Sequence, residues 1–170
     1  VIHRRQRQMC IRDSHETGNE TILFIPREDA ERNSGLIKSR IGLSASAIVI
    51  DSKLKIFEYV QKEVEKRKID AILVDEAQFL KKHHVLQMCK ICDELEIPVM
   101  CYGIRTDFRG ELFEGSGSLL ALADNLIELK TVCNECSKKA TMVVRLDENG
   151  KVVTKGSKVQ IGGNLSLIHI

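Results

Sequence analysis

Two adjacent carboxylates, Asp75 and Glu76, are the residues of this sequence best placed to do chemistry. They follow the apolar run 69–74, which is typical of a buried parallel strand, and open α/β sheets bind ligands where such strands end. One carboxylate could hold Mg²⁺ and the other could take a proton from an attacking hydroxyl, as phosphoryl transfer requires. Acidic pairs in this position are also common as solvated turn residues or helix caps. The pair alone does not separate a kinase from a helicase or an ATPase.

A second candidate element is the loop at 101–116, which begins where the next apolar run ends. Arg105 and Arg109 could neutralise phosphate charge, and the rings of Phe108 and Phe113 could stack on a base. Long irregular loops at the carboxyl ends of strands are often functional. The alternative is a loop whose phenylalanines pack into the core.

The apolar pattern predicts strands that alternate with helices. The predicted strands are 21–25, 45–50, 71–74, 99–102, 125–129 and 141–146. The predicted helices are 53–68, with Asp51 and Ser52 in its cap region, 83–95 and 116–123. This order indicates an α/β fold with a parallel sheet and right-handed crossovers. After Lys130 the pattern changes to a small β-rich appendage.

Length and composition limit the partners that we expect. The 170 residues suffice for one globular domain with an appendage, and the net charge of +2 predicts no nucleic-acid partner. No run approaches the roughly 18 apolar residues of a membrane span, so we expect no membrane partner. Six cysteines without a secretory signal indicate a reducing compartment, which makes the cytoplasm the expected location.

Two cysteine pairs have the spacing C-x-x-C. Cys133 and Cys136 could be half of a structural zinc site, although such a site needs four ligands. Cys89 and Cys92 lie in a predicted amphipathic helix, where cysteine usually behaves as a small buried apolar residue. We therefore expect a metal only at the first pair.

Four segments in fixed order resemble the type II thymidine kinase family: IDAILVDEAQFL, IPVMCYGIRTDFRGELFEGS, DNLIELKTVCNECSKKATMVVRLDENG and VQIGGN. The resemblance runs from about residue 21 to 164. It implies a RecA-like P-loop kinase core with a parallel sheet, and a small zinc-containing lasso domain. It further implies transfer of the ATP γ-phosphoryl group to the 5′-hydroxyl of thymidine, or of deoxyuridine, with Mg²⁺, in pyrimidine deoxynucleotide salvage. The partners implied are thymidine and ATP, and the assembly implied is a homotetramer.

The resemblance assigns roles residue by residue. Glu76 matches the general base and Asp75 the acid associated with magnesium. The segment that lies against the ATP phosphates is matched by Asp75, Glu76, Ala77 and Gln78. The positions that line the thymine pocket are matched by Phe79, Ile104, Phe108 and Phe113. The lasso that binds the base is matched by Gly162 and Gly163, whose backbone can approach a ligand closely. The zinc ligands are matched by Cys133 and Cys136.

The sequence departs from the family at both ends. It contains no G-x-x-x-x-G-K-[ST], the loop that cradles phosphates. It also lacks a second ligand pair after the lasso glycines. We therefore expect an unrelated segment at 1–20, a partial kinase core at 21–130, a partial zinc and lasso domain at 131–164 and an unrelated segment at 165–170. The expected consequence is a chain that is inactive or nearly so.

Other interpretations stay open. The chain could be a non-catalytic remnant that only binds a nucleoside. It could be a helicase-like ATPase fragment, since Asp-Glu-Ala-Gln is similar to the acidic motif of such proteins. It could also be a zinc-ribbon module that binds nucleic acid, which its near-neutral charge disfavours. Phosphate contacts from Arg40, Arg105 and Arg109 cannot be ranked from the sequence.

Overall fold

The computed structural model describes residues 20–28, 36–38, 44–128, 131–133, 138–140, 143–147, 149–156 and 167–169. The strands are β1 (Thr21–Pro26), β2 (Leu36–Lys38), β3 (Ser44–Ser46), β4 (Ile48–Ile50), β5 (Ala71–Val74), β6 (Val99–Cys101), β7 (Thr131–Val132), β8 (Lys139–Ala140), β9 (Val143–Arg145) and β10 (Leu167–His169). The main helices are α1 (Ile56–Val64), α2 (Lys82–Leu95) and α3 (Glu114–Leu122), and a 3₁₀ turn covers Ala77–Phe79.

A four-stranded parallel sheet in the order β4-β1-β5-β6 forms the centre of the fold. The register pairs Phe24 of β1 with Val74 of β5, and Val74 in turn with Cys101 of β6. All four strands therefore end at the same edge of the sheet. This arrangement confirms the α/β fold with a parallel sheet that the sequence predicted. Three antiparallel pairs, β2 with β3, β7 with β8 and β9 with β10, lie outside this sheet.

The core lies mainly between the sheet and the helices. The fully buried side chains of Ile22, Ile72 and Val74 pack with α1 and α2 through Ile56, Val60, Val85 and Ile91. Leu23, Ile25 and Leu73 form a smaller cluster on the other face. Full burial of one such side chain stabilises the fold by about 1.5–3 kcal/mol. The apolar run before Asp75 is thus held on both faces, which fixes the position of the acidic pair.

Three predicted elements differ from the structure. The first helix begins at Ile56, because Asp51 Oδ1 accepts the N–H groups of Lys53 and Leu54 at 2.9 Å and closes a turn ahead of the helix. The predicted strand 45–50 is divided into β3 and β4, and β3 pairs with β2. The predicted strand at 125–129 is wrong over 125–128, where no described strand pairs with the segment. Within the described ranges, no helix has the length and apolar character needed to cross a membrane.

Candidate functional site

Asp75 lies at the carboxyl end of β5, in the middle of the sheet edge. Its N–H donates to the carbonyl of Phe24 at 3.0 Å, which extends the β1–β5 pairing by one residue. Its carboxylate accepts the N–H of Glu76 at 2.6 Å, and the residue is only 4% exposed. A buried carboxylate held by backbone N–H groups presents hard oxygen atoms of the kind that Mg²⁺ prefers. The chemistry of this side chain therefore fits the metal role that the sequence suggested.

Glu76 has a left-handed backbone conformation, with φ 48° and ψ 39°. For a residue other than glycine this conformation costs roughly 1–2 kcal/mol, and such strain is concentrated at functional sites. The conformation turns the chain from β5 into the 3₁₀ turn. As a result Glu76 is half-buried while the residues on either side of it, Asp75 and Ala77, are buried.

Gln78 joins Glu76 to the loop that follows β6. Its Nε2 donates to Glu76 Oε2 at 2.7 Å, and its Oε1 accepts the N–H of Ile104 at 3.2 Å. Gln78 is 3% exposed, so both bonds are shielded from water. Gly103 permits this approach, because a Cβ at that position would lie 2.7 Å from Gln78 Oε1. The side chain expected near ATP thus makes its observed hydrogen bonds within the protein.

Backbone hydrogen bonds bring the loops after β5 and β6 together. The N–H of Tyr102 donates to the carbonyl of Val74 at 2.8 Å, and the N–H of Ala77 donates to the carbonyl of Tyr102 at 2.7 Å. Ser116 Oγ donates to the carbonyl of Ile104 at 2.7 Å. The two loops and the start of α3 therefore form one hydrogen-bonded unit.

Phe79 and Phe113 form an edge-to-face pair beside this unit. Their ring centroids are 5.8 Å apart and their planes meet at 82°. Gly115 lets α3 approach the 3₁₀ turn, since a Cβ there would lie 2.4 Å from the carbonyl oxygen of Ala77. Phe79, Ile104 and Phe113, which the sequence predicted to share a pocket, are thus brought to one region. The packing supplies an apolar, aromatic wall next to the carboxylates.

The loop between β6 and α3 is organised by Asp107, which is 2% exposed. Its Oδ1 accepts the N–H groups of Arg109 at 2.8 Å and Glu111 at 3.0 Å, and its Oδ2 accepts from the Arg109 guanidinium at 3.1 Å. Burial raises the pKa of this carboxyl, but the hydrogen bonds and the guanidinium outweigh burial and hold its pKa below the ordinary value. Arg109 also pairs with Glu111 at 2.8 Å, whereas Arg105 is exposed.

Phe108 contacts a residue that sequence reasoning missed. The guanidinium carbon of Arg145, in β9, lies 3.9 Å from the centroid of the Phe108 ring, and that of Arg109 lies at 5.7 Å. Arg145 is only 7% exposed. A single arginine in a short strand has no local pattern that would indicate this contact, so only the tertiary structure reveals it.

Several predicted residues lie outside the described part of the chain: Arg40, Cys136, Gly162 and Gly163. Cys133 is buried, and its N–H donates to the carbonyl of Lys138 at 2.7 Å, next to the paired strands β7 and β8. Within the described residues, no three potential ligands gather as a metal site. The described part of the chain therefore does not establish a fit to zinc.

A cavity of about 220 Å³ lies at the carboxyl ends of β1 and β4, on the same edge of the sheet. Phe79 contributes to its wall, together with the ion pair between Arg27 and Asp51 at 3.1 Å. His84 also lines it and is buried. Its Nδ1 accepts the N–H of Lys81 at 3.2 Å, and burial lowers its pKa. These contacts give His84 a structural role in the start of α2.

Comparison with known proteins identifies the family. A family model described as thymidine kinase matches residues 8–165. A thymidine kinase of Zymomonas mobilis subsp. mobilis is 49% identical over 149 residues, which cover 88% of this chain and 77% of that protein. A thymidine kinase of Yersinia pseudotuberculosis is 47% identical over 155 residues, which cover 91% of this chain and 79% of that protein. A thymidine kinase of Legionella pneumophila is 49% identical over 154 residues, which cover 90% of this chain and 73% of that protein. The chain therefore belongs to the thymidine kinase family.

Proposed function

We propose that Glu76 is the general base of the thymidine phosphorylation that this family performs with ATP. The observation that supports this role is the placement of its carboxylate at the sheet edge, hydrogen-bonded to buried Gln78. Glu76 also begins the 3₁₀ turn that ends at Phe79 of the Phe79–Phe113 pair. A general base must lie within hydrogen-bond reach of the proton that it accepts. A 5′-hydroxyl placed against Oε1 of Glu76 would leave the bond from Gln78 to Oε2 intact. Gln78 would then orient the base during proton transfer.

Asp75 is the proposed residue for Mg²⁺. Bound there, the ion would neutralise charge on the phosphates of ATP. Asp75 is itself fixed by the N–H of Glu76, so the proposed metal ligand and the proposed base share one rigid turn. The turn also includes Ala77 and Gln78, which we assign to the segment lying against the phosphates. Arg105 and Arg109 remain candidates for phosphate contacts.

The proposed thymine pocket combines two parts of the chain. One part is the aromatic and aliphatic wall of Phe79, Ile104, Phe108 and Phe113. The other is the backbone at Gly162 and Gly163, by family resemblance. A planar base is recognised by stacking on such rings and by backbone hydrogen bonds. The pocket therefore lies between the kinase core, proposed at 21–130, and the small domain proposed at 131–164.

Further properties follow from the resemblance alone. We propose that Cys133 and Cys136 are two of the ligands of a structural zinc ion. We also propose a homotetramer, a cytoplasmic location and a role in deoxynucleotide salvage. Zinc content measured by mass spectrometry on the wild type and on Cys133→Ser tests the metal assignment. Equal zinc in the two proteins would remove Cys133 from the ligand set.

Thymidine binding is the primary test of the function, because it depends on the proposed thymine pocket and not on the phosphate-cradling motif G-x-x-x-x-G-K-[ST], which these 170 residues do not contain. Calorimetric titration should show saturable binding of thymidine and none of single-stranded DNA. Absence of thymidine binding would contradict the proposed function. Binding of DNA alone would favour a nucleic-acid module.

A matched pair of variants tests the base. Glu76→Gln should keep thymidine affinity, while the residual radiolabelled transfer from ATP that the wild type shows in a long incubation should fall below detection. Glu94→Gln, at an exposed position on α2, serves as the control and should not change either quantity. Transfer by Glu76→Gln at the wild-type rate would exclude Glu76 as the base.

A further inference from the structure

Arg145 is buried in an unusual way for an arginine. Only 7% of the residue is exposed, and its guanidinium carbon lies 3.9 Å from the centroid of the Phe108 ring. Arginine is seldom buried unless its charge is compensated, and a planar guanidinium stacks well on an aromatic face. At this distance the cation is attracted by the electrons of the ring, and the attraction grows when water is excluded.

The backbone of Arg145 is fixed by the small β unit to which it belongs. Its carbonyl accepts the N–H of Val153 at 2.8 Å, and it pairs with Leu167 in the antiparallel β9–β10 ladder. The next residue, Leu146, forms an antiparallel bridge with Val152. The backbone that carries the guanidinium is therefore held by hydrogen bonds within the small β unit.

Phe108 lies on the loop between β6 and α3, next to buried Asp107. The four hydrogen bonds that Asp107 accepts hold this turn together, and the same loop carries Ile104, whose N–H binds Gln78. Arg109 also lies near the ring, but its guanidinium is bound to Asp107 and Glu111. Arg145 is thus a contact that joins the ring to a different structural unit.

We propose that Arg145 is a positioning residue for nucleoside binding, which holds Phe108 and its loop against the small β unit. The inference rests on the proposed function, since it takes Phe108 to be part of the thymine pocket. Arg145 acts through Phe108 and contacts no reacting atom. Its loss should weaken thymidine affinity and leave the affinity for ATP unchanged, because the segment proposed for ATP begins at Asp75, whose backbone is fixed by its hydrogen bond to Phe24 of β1.

A double-mutant cycle measured by calorimetry on the full 170-residue chain tests this inference. Arg145→Met and Phe108→Leu should each raise the Kd for thymidine about 5- to 30-fold, the range given by one cation–π contact. The double variant should have a Kd for thymidine no higher than that of the single variant with the higher Kd, since both changes remove the same contact. Arg145→Lys should restore part of the affinity, because it keeps the cation and loses the planar stack.

The control is Lys151→Met, which removes an exposed cation from the same β unit. The N–H of Lys151 donates to Asp147 Oδ1 at 2.9 Å, and this backbone bond does not depend on the side chain. This variant should bind thymidine like the wild type. Thermal melts of every variant show whether the chain is folded. If Arg145→Met does not fold, Arg145→Lys and Phe108→Leu still complete a cycle.

Additive effects in the cycle would overturn the proposal, as would equal weakening of thymidine and ATP binding by Arg145→Met. Those results would give Arg145 a general structural role and leave the proposed function intact. A wild-type chain that does not bind thymidine would instead refute the proposed function. The two failures are therefore distinguishable, because the second appears in the wild type and the first appears only in the variants.

Discussion

Gln78 makes hydrogen bonds to both Glu76 and the loop after β6. Its Nε2 donates to Glu76 Oε2 at 2.7 Å, and its Oε1 accepts the N–H of Ile104 at 3.2 Å. Both ends of one buried amide are therefore used. The conformation of the proposed base depends on a loop that is contributed by a different strand. One buried side chain therefore links the proposed base to the backbone at Ile104.

Replacement of Gln78 by methionine should both destabilise the fold and weaken the site. Methionine keeps the volume of the side chain but leaves the half-buried N–H of Ile104 without its acceptor, which costs about 1–3 kcal/mol. Chemical denaturation should therefore show that the free energy of unfolding falls by about 1–3 kcal/mol. Gln61→Met is the control, because Gln61 is exposed on α1, and it should change the free energy of unfolding by less than about 0.5 kcal/mol. Equal losses of unfolding free energy in the two variants would contradict the role of Gln78 as a link between Glu76 and Ile104.

The two glycines of α3 should respond oppositely to alanine. A Cβ at Gly115 would lie 2.4 Å from the carbonyl oxygen of Ala77 and 2.8 Å from that of Leu80, and backbone atoms cannot move aside cheaply. Gly115→Ala should therefore cost about 3 kcal/mol and separate α3 from the 3₁₀ turn. At Gly117 the nearest atom would be Leu112 Cδ1 at 4.0 Å, so alanine should stabilise the helix by about 1 kcal/mol. Thermal melts of the two variants should move in opposite directions.

Glu76 and Glu96 share a left-handed backbone, with φ 48° and 54°, but only Glu76 has a catalytic role in the function that we propose. Glu96 ends α2 and is exposed, so Glu96→Gly should relieve strain and stabilise the fold by about 1 kcal/mol without changing thymidine binding. Glu76→Gly should relieve similar strain while it abolishes phosphoryl transfer. Denaturation curves and transfer rates measured on both variants separate the two effects. A loss of stability in Glu96→Gly would show that its backbone carries no strain.

The sequence predicted the parts of the fold that depend on local pattern. The strand at 71–74 was placed correctly, since branched aliphatic residues followed by acids have a strong signature. Residues 125–128 also contain two adjacent branched aliphatic residues, yet Leu126 is 61% exposed and Ile127 is 84% exposed. A strand needs a partner, and an apolar pattern does not show whether one is present. The contact between Arg145 and Phe108 was missed for a related reason, because stacking between distant residues leaves no periodic signal.

Asp107 should make stability depend on pH in the acid range. Its folded pKa lies below the ordinary value because hydrogen bonds from Arg109 and Glu111 outweigh the effect of burial. A lowered pKa contributes stability above the unfolded-state value of about 3.9, and this contribution is lost as the pH falls through the folded pKa. The wild type should therefore lose more free energy of unfolding than Asp107→Asn when the pH is lowered from 7 to below about 3.

At pH 7, Asp107→Asn should be less stable than the wild type by about 1.5–3 kcal/mol, the range for a hydrogen bond to a charged group. The two proteins should approach each other in stability as the pH falls, because the wild-type carboxyl then becomes neutral. Asp93→Asn, at an exposed position on α2, should differ little from the wild type at pH 7. A difference in the free energy of unfolding between Asp107→Asn and the wild type that stays constant from pH 7 to the lowest pH at which both proteins are folded would mean that the charge of Asp107 does not hold the loop. The loop would then depend on the two acceptor oxygens of that side chain, which asparagine cannot reproduce because its NH₂ group would face either the Arg109 guanidinium or the backbone N–H groups.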